Sequence, residues 1–400
     1  MVVGVIGAGA MGSGIAQVAA TAGHRVVLGD THKPAIERAR ELIMAALTRD
    51  VTKARIDQAT ADAICGRISD AGDLAMGFGA FAECGIVIEA VAEDLDVKMA
   101  VFDEVESEVS PECILATNTS SLPVTAIAGQ CRHPQRVIGI HFFNPAVTMP
   151  LVEIIPAITT DTAVTDSARA LVDGWKKVTV IARDTPGFIV NRIARPFYGE
   201  SLRLLEEGIA DAPTIDWALR DIAGFRMGPF ELMDFIGHDI NFAVTRSVYD
   251  GFFQDPRYRP SITQQRLVEA GRFGRKRSRG FYDYSDGAVR PKPVQDAALG
   301  QVIVNRVLAM LINEAVDAVY LGVASPADIE LSMTRGVNYP KGLLAWGDAI
   351  GPANVLAQLD ALREEYGEDR YRASVLLRRI VRDGGRLLAS HGRAVAGEKT

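Results

Sequence analysis

The chain has 400 residues, of which 48% are apolar and 23% charged, and its formal net charge is −7. This composition predicts a globular protein with a core large enough for two or three domains. The acidic balance argues against nonspecific nucleic-acid binding, and no apolar run approaches the roughly 20 residues of a membrane span. Because a basic leader is also lacking, we expect a soluble, cytoplasmic protein without nucleic-acid or membrane partners.

The four cysteines show no CxxC spacing. Cys84, Cys113 and Cys131 lie in or beside strand-like runs, while Cys65 stands apart from them. In a large chain of this class the pattern favours buried free thiols over disulfides, and it predicts no metal site.

The chain opens on a strand-like apolar run, the glycine-rich sequence GAGAMG and a helix of small residues. In such a unit Gly7 permits a tight bend, Gly9 lets the backbone approach a pyrophosphate, and Gly12 lets the helix pack on the strand. The unpaired N–H groups of the helix N-terminus would hold the anion. The segment therefore predicts a dinucleotide site, with Ala10 and Met11 contributing beside the glycines.

A second strand candidate, HRVVLGD, ends in Asp30. From that position a carboxylate accepts hydrogen bonds from the hydroxyls of an adenosine ribose. A 2′-phosphate would meet Asp30 as a like charge, so NAD is favoured over NADP, although His32 and Lys33 lie close by in the sequence.

Further strand candidates follow a charged helical stretch at residues 34–69. They are CGIVIEAV (84–91), CILATN (113–118), RVIGIHFF (136–143), LVEIIP (151–156) and KKVTVIA (176–182). Helix-like segments separate several of them. The pattern predicts an α/β, Rossmann-like, doubly wound sheet extended by a few strands.

Polar residues collect at the predicted carboxyl ends of these strands, where open sheets bind their ligands. Glu89, Glu93, TNTSS (117–121) and His141 lie at or just beyond such ends. A neutral His141 would take a proton from a hydroxyl near neutral pH, and Glu153 on the neighbouring strand would orient its ring. The two residues also fit a core histidine and an edge glutamate, and the pattern does not decide between these interpretations.

The second half predicts an all-α domain with an internal duplication. The segment DTPGF (184–188) forms a joint, after which residues 189–237 align with residues 303–351 at a constant offset of 114. Identities at 12 of 49 positions indicate a repeated helical unit. The predicted domains are a dinucleotide domain (1–183), a first helical domain (184–284), a linker (285–300), a second helical copy (301–390) and a tail (391–400).

In motif order and spacing, residues 2–285 resemble the 3-hydroxyacyl-CoA dehydrogenase family. The segments that carry this resemblance are GAGAMGSGIAQ, IEAVAEDLDVK, TNTSSLPV, GIHFFNP, LVEII and DTPGFIVNRI. The second helical copy is similar to that of duplicated bacterial members, some of which act in fatty-acid or phenylacetate catabolism. The resemblance implies NAD-dependent oxidation of an (S)-3-hydroxyacyl-CoA, of the 3-hydroxybutyryl-CoA or 3-hydroxyadipyl-CoA type.

The resemblance also implies roles for single residues. By motif position His141 is the base and Glu153 its partner, while Ser120 and Asn191 contact the substrate oxygen. The implied contacts to nicotinamide and ribose are Asp30, Glu93, Lys98, Ser120 and Asn144, and the implied contact to CoA is Lys53.

Two positions depart from the family pattern. Ala46 stands where relatives carry a serine that contacts CoA, which weakens the CoA assignment of Lys53. Ser278 stands where relatives usually carry glycine, and it strains its turn if that position has a positive φ.

Two other functions stay open at this point: a dehydrogenase of small non-CoA hydroxy acids, and a catalytically silent NAD sensor acting through the second helical copy. The former generally relies on a lysine base, for which no matching constellation is found. The intact set Ser120, His141, Glu153 and Asn191 argues against the sensor. Because the family pairs through its helical domain, we expect either a homodimer or a monomer whose second copy replaces the partner subunit.

Overall fold

The protein is described here by a computed structural model covering residues 1–390, and the predicted tail (391–400) lies outside the described residues. The chain divides into two units, the first running from Met1 to Thr185 and the second beginning at Pro186. Among residues 1–390, no helix combines the length and apolar character needed to cross a membrane.

Residues 1–185 form an eight-stranded sheet with connecting helices. The strands are β1 (Val2–Ile6), β2 (Arg25–Gly29), β3 (Ile68–Asp70), β4 (Ile86–Glu89), β5 (Ile114–Thr117), β6 (Val137–Phe142), β7 (Leu151–Pro156) and β8 (Val178–Ile181). The helices are α1 (Ala10–Thr21), α2 (Lys33–Thr52), α3 (Gln58–Gly66), α4 (Leu95–Glu108), α5 (Val124–Ala128) and α6 (Thr162–Gly174).

The strand order is β3-β2-β1-β4-β5-β6-β7-β8, and the neighbours are parallel except for the antiparallel pair β6 and β7. Strands β4 and β6 are buried along their whole length, as expected for apolar runs covered on both faces of a parallel sheet. The predicted Rossmann-like, doubly wound sheet is confirmed.

Two details of this sheet differ from the prediction. The edge strand β3 lies partly inside the predicted helical stretch of residues 34–69, and because only Ile68 of its three residues is buried, no apolar run marks it. The small-residue run predicts a helix over residues 15–22, whereas α1 begins at Ala10 because Gly9 is its N-cap.

The regular secondary structure in the described part of the second unit is helical, apart from isolated β-bridges at Gly274, Arg279 and Asp283. Its first part contains α7 (Val190–Ile193), α8 (Arg195–Glu206), α9 (Ala212–Trp217), α10 (Pro229–Ile236), α11 (His238–Gly251) and α12 (Ile262–Glu269). Its second part contains α13 (Ala297–Tyr320), α14 (Pro326–Leu331), α15 (Leu343–Ile350), α16 (Pro352–Tyr366) and α17 (Val375–Asp383). The sequence offset of 114 relates α9 to α14 and α10 to α15 residue for residue, which confirms the predicted duplication.

Carboxylates at equivalent positions cap equivalent helices in the two copies. Asp216 accepts hydrogen bonds from the first N–H groups of α10, and Glu330, at the same place in the second copy, accepts them from the first N–H groups of α15. Asp296 caps α13 through Ala298 and Leu299, so that helix begins inside the predicted linker of residues 285–300. Each cap satisfies N–H groups that a helix cannot pair internally.

Candidate active site

The glycine turn between β1 and α1 has the geometry that a dinucleotide requires. Gly7 has φ of +101°, and a Cβ there would lie 2.5 Å from the carbonyl oxygen of Ala90. A Cβ at Gly12 would lie 1.7 Å from the carbonyl oxygen of Gly7, whereas nothing lies within 4 Å of a Cβ built on Gly9. The turn is therefore closed against the sheet at Gly7 and Gly12 and open at Gly9, where a pyrophosphate would approach the backbone.

Asp30 shapes this turn from the end of β2. Its Oδ2 accepts a hydrogen bond from the N–H of Ala8 at 2.7 Å, and its Oδ1 accepts one from His32 at 2.8 Å. Ala10 and Met11 form the first turn of α1, exposed and half-buried respectively. The carboxylate predicted to contact ribose thus also holds the glycine turn in place.

His141 and Glu153 face each other directly across the antiparallel pair β6 and β7. His141 Nδ1 lies 2.7 Å from Glu153 Oε2, and the residues are 5% and 0% exposed. The ring of Phe143 packs against the imidazole with centroids 4.5 Å apart. Opposed positions on antiparallel strands bring side chains into contact, so the register creates the pair that the motifs predicted.

Glu93 organises the loop that carries Ser120. Its Oε1 accepts hydrogen bonds from the N–H of Ser120 at 2.8 Å, the N–H of Ser121 at 3.1 Å and the hydroxyl of Thr119 at 2.7 Å. The Ser120 hydroxyl also donates to this oxygen, at 3.1 Å. One carboxylate therefore sets the conformation of the loop. The sequence predicted only a cofactor contact for Glu93 and did not indicate this structural role.

Lys98 links Glu93 to the end of β4. Its Nζ lies 2.7 Å from Glu89 and 3.3 Å from Glu93, and its side chain is 1% exposed. Burial raises the pKa of Glu89, although Lys98 opposes the shift. Burial also opposes ionisation of Glu93, but Lys98 and the hydrogen bonds from Thr119 and Ser120 hold the pKa of Glu93 below its usual range. Glu93 is therefore a fixed negative charge beside Ser120.

The loop between β6 and β7 carries the exposed Asn144. Lys177 holds this loop through hydrogen bonds to its backbone. The ammonium of Lys177 donates to the carbonyls of Ala146 at 2.6 Å and Met149 at 2.8 Å, and burial lowers the pKa of this lysine. Sequence reasoning missed Lys177, because a lysine at the start of a strand carries no signal of which loop it will reach.

The remaining predicted residues lie on other elements. Lys53 is exposed at the C-terminal end of α2. Asn191 lies on α7 in the second unit, half-buried, and its carbonyl accepts a hydrogen bond from Arg195 Nε at 2.8 Å. The structure thus brings Glu93, Lys98 and Ser120 together in one cluster and pairs His141 with Glu153.

The cysteines play no part in this site. All four thiols are free; Cys84 and Cys113 are buried, and Cys65 and Cys131 are half-buried. Burial raises the pKa of Cys84, Cys113 and Cys131 to about 12. Those three thiols therefore stay protonated at neutral pH and lack the nucleophilic thiolate form.

Comparisons with known proteins place both units in one family. The family profile described as "3-hydroxyacyl-CoA dehydrogenase, NAD binding domain" matches residues 2–185. The profile described as "3-hydroxyacyl-CoA dehydrogenase, C-terminal domain" matches twice, at residues 187–284 and 302–395. The two C-terminal matches coincide with the two helical copies.

Curated relatives and a solved structure agree with these profiles. A 3-hydroxyadipyl-CoA dehydrogenase of Escherichia coli K12 is 39% identical over 94% of this chain and 96% of its own length. A 3-hydroxybutyryl-CoA dehydrogenase of Bradyrhizobium diazoefficiens is 40% identical over 73% of this chain and 98% of its own. The crystal structure of an Escherichia coli 3-hydroxybutyryl-CoA dehydrogenase has a TM-score of 0.88 at 37% identity, covering 96% of this chain and 99% of that chain.

The solved structure extends over both helical copies, and the profiles cover nearly the whole chain, so the similarity is not limited to the dinucleotide-binding fold. A shared Rossmann-like sheet by itself would leave the chemistry open. With a specific family match to each unit, the chain belongs to the 3-hydroxyacyl-CoA dehydrogenase family, a family of NAD-dependent oxidoreductases.

Proposed function

We propose that the protein oxidises (S)-3-hydroxyacyl-CoA to 3-oxoacyl-CoA with NAD, on substrates of the 3-hydroxybutyryl-CoA or 3-hydroxyadipyl-CoA type, and that His141 is the base. The observation that carries this proposal is the 2.7 Å contact between His141 Nδ1 and the buried Glu153. The names of the Escherichia coli and Bradyrhizobium relatives support the substrate class.

Glu153 orients the imidazole for the reaction. A buried carboxylate that accepts the Nδ1–H of His141 makes Nε2 the nitrogen that takes the proton of the substrate hydroxyl. As that proton arrives the ring becomes positively charged, and the neighbouring carboxylate stabilises the charge. In the reverse direction the same nitrogen returns the proton.

Ser120 and Asn191 are proposed to position the substrate hydroxyl. Glu93 holds the Ser120 loop through backbone and side-chain hydrogen bonds, so the position of the serine is fixed before substrate arrives. Such preorganisation matters because the rate depends on holding the reacting groups in near-attack geometry.

The residues of the opening turn fit NAD. The space over Gly9 is open, the N-terminus of α1 faces it, and Asp30 stands at the end of β2. When bound, NAD supplies the acceptor for the hydride of C3. Glu93, Lys98 and Asn144 are proposed to contact its nicotinamide and ribose, and Lys53 to contact the CoA of the substrate.

The first test is NADH formation from the separate (S) and (R) forms of 3-hydroxybutyryl-CoA and 3-hydroxyadipyl-CoA, each with NAD and with NADP. We expect turnover of the (S) forms with NAD. His141→Ala should lower kcat by at least about a hundredfold, the range typical of a lost general base, while leaving the dissociation constant of NADH nearly unchanged. Tight NADH binding without turnover of any acyl-CoA would instead support a sensor.

A further inference from the structure

One buried arginine of the second unit differs from all the others. Six arginines of the described chain are buried: Arg136, Arg192, Arg195, Arg257, Arg306 and Arg370. Five of them form an ion pair: Arg136 with Glu106, Arg192 and Arg257 with Glu314, and Arg306 and Arg370 with Glu200. Within residues 1–390, Arg195 has no carboxylate partner, although a charged side chain is rarely buried without one.

Arg195 is held in place by neutral groups. It is 6% exposed, and its Nε donates to the carbonyl of Asn191 at 2.8 Å. Its Nη1 donates to the hydroxyl of Thr245 at 3.0 Å, and its guanidinium carbon lies 4.9 Å from the centre of the Tyr198 ring. Within residues 1–390, Nη2 makes no hydrogen bond, so the planar group is fixed while part of its donor capacity stays unused.

Two phenols near Arg195 also have unused hydroxyls. Tyr339 is 6% exposed, and its buried OH has no hydrogen-bond partner among residues 1–390. Tyr198 is 5% exposed, and its OH makes no hydrogen bond to any residue from 1 to 390. Tyr198 stacks under the Arg195 guanidinium, and the ring of Tyr339 packs on that of Phe197, two residues after Arg195, with centroids 5.9 Å apart. Burial raises the pKa of both phenols, so both hydroxyls stay protonated donors at neutral pH. A buried guanidinium flanked by two such donors has the chemistry of a carboxylate site.

We propose that Arg195 and Tyr339 bind the terminal carboxylate of a dicarboxylic 3-hydroxyacyl group, such as that of 3-hydroxyadipyl-CoA. This inference rests on the proposed function. Arginine suits the site because its planar fork matches a carboxylate, and the ligand's negative charge compensates the buried positive charge.

The spacing along the chain agrees with this assignment. Arg195 lies four residues after Asn191, the residue proposed to contact the 3-hydroxyl, and its Nε is 2.8 Å from the carbonyl oxygen of Asn191. The terminal carboxyl of a six-carbon 3-hydroxyacyl group is likewise only three carbons beyond the hydroxyl-bearing C3. The hydroxyl contact and the carboxylate contact would therefore come from closely spaced residues of one segment.

The second helical copy acquires a role in this arrangement. Tyr339 belongs to the second copy, and the equivalent residue of the first copy is Phe225, whose ring packs on that of Tyr339 with centroids 4.9 Å apart. The two residues differ only by the hydroxyl group. The second copy thus supplies one polar atom to a site otherwise built from the first copy.

The test measures kcat/KM for (S)-3-hydroxyadipyl-CoA and (S)-3-hydroxybutyryl-CoA with full-length variants. Arg195→Met should lower the ratio of adipyl to butyryl kcat/KM by about 10- to 100-fold, the range that a hydrogen bond to a charged group contributes. Arg195→Lys should restore part of the ratio, because it keeps the charge but loses the fork. Tyr339→Phe should lower the ratio several-fold, since it removes only the hydroxyl. Arg259→Met, at an exposed arginine of the same unit, is the control and should leave the ratio unchanged.

If Arg195→Met does not fold, the test uses Tyr339→Phe. Its inhibition by adipyl-CoA and by butyryl-CoA is then measured, since both compounds lack the 3-hydroxyl. Weaker inhibition of Tyr339→Phe by adipyl-CoA with unchanged inhibition by butyryl-CoA would support the site. An unchanged ratio in Arg195→Met, or in Tyr339→Phe when only that variant folds, would overturn it while leaving the dehydrogenase function intact. Failure of the wild-type protein to oxidise either substrate would instead remove the proposed function.

Discussion

Single buried carboxylates perform different tasks according to their partners. Glu153 contacts an imidazole and belongs to the proposed chemistry, whereas Asp216 caps α10 by accepting the N–H groups of Phe230 and Glu231. Burial raises the pKa of Asp216 to about 7, even though these hydrogen bonds and that of the Tyr282 hydroxyl act in the opposite direction. Asp216 therefore changes charge near neutral pH, well above the usual range of an aspartate.

This shift predicts a pH dependence of stability. An unfolded aspartate has a pKa of about 3.9, so between about pH 4 and pH 7 the folded chain holds a proton at Asp216 that the unfolded chain has lost. The contribution to stability is full below the unfolded pKa and is lost as the pH rises through about 7. In urea titrations across this window, Asp216→Asn should make the free energy of unfolding fall less steeply with pH than in the wild type. Identical slopes for the two proteins would contradict the assignment.

Among the helices, the position of a proline explains one difference between the two copies. The first copy is broken at Ala194 between α7 and α8, while α13 runs unbroken through the equivalent position. Pro196 lacks the N–H that would continue the helix, and Met310 stands at that position in the second copy. Beside this break the carbonyl of Asn191 accepts a hydrogen bond from the Arg195 side chain, so the proposed carboxylate site lies next to a sequence feature of the first copy.

The turn after α12 carries a strained residue. Ser278 has φ of +55°, which is the positive φ at which we expected this serine to strain its turn. The left-handed conformation costs a residue with a Cβ about 1–2 kcal/mol, and a glycine at this position would relieve that strain. Part of the stability gained is lost again because glycine has greater conformational freedom in the unfolded chain. Ser278→Gly should therefore raise the free energy of unfolding by about 0.5–1 kcal/mol, measured by chemical denaturation. Ser278→Ala keeps the Cβ and should give no such increase; equal effects of both variants would assign the change to the lost hydroxyl.

At the scale of the whole molecule, the two helical copies are joined by reciprocal buried ion pairs. Arg192 of the first copy lies 2.6 Å from Glu314 of the second, and the equivalent Arg306 of the second lies 3.0 Å from Glu200 of the first. Tyrosine hydroxyls complete both clusters, with Tyr258 donating to Glu314 and Tyr371 to Glu200. Such reciprocity is the pattern of a two-fold subunit interface, here built within one chain.

These clusters make Glu314 a sensitive position. Glu314→Gln removes the more buried of the two carboxylates that Arg192 and Arg257 share, the other being Asp317. Breaking a buried pair typically costs about 3–5 kcal/mol. We expect a loss of that size in the free energy of unfolding of the second unit, followed by urea denaturation. Glu83→Gln makes the same chemical change at an ion pair whose side chains are 70% and 83% exposed, and it should cost less than about 1 kcal/mol. Equal effects of the two substitutions would show that the buried cluster does not stabilise the copies.

The parts of this protein that depend on local pattern were predictable from the residues alone. The glycine turn, the apolar strands and the offset of 114 predicted the Rossmann-like sheet and the helical duplication, and the motif residues predicted the pair His141 and Glu153. The contacts between distant residues were fixed by tertiary packing, such as those of Glu93 with the Ser120 loop, of Lys177 with the Asn144 loop, and of Phe197, two residues after Arg195, with Tyr339. Periodicity and turn chemistry depend on residues that are close together in the sequence. The partner of a buried charge is selected by packing between distant segments, and the sequence around a lysine or arginine does not show which group it will contact.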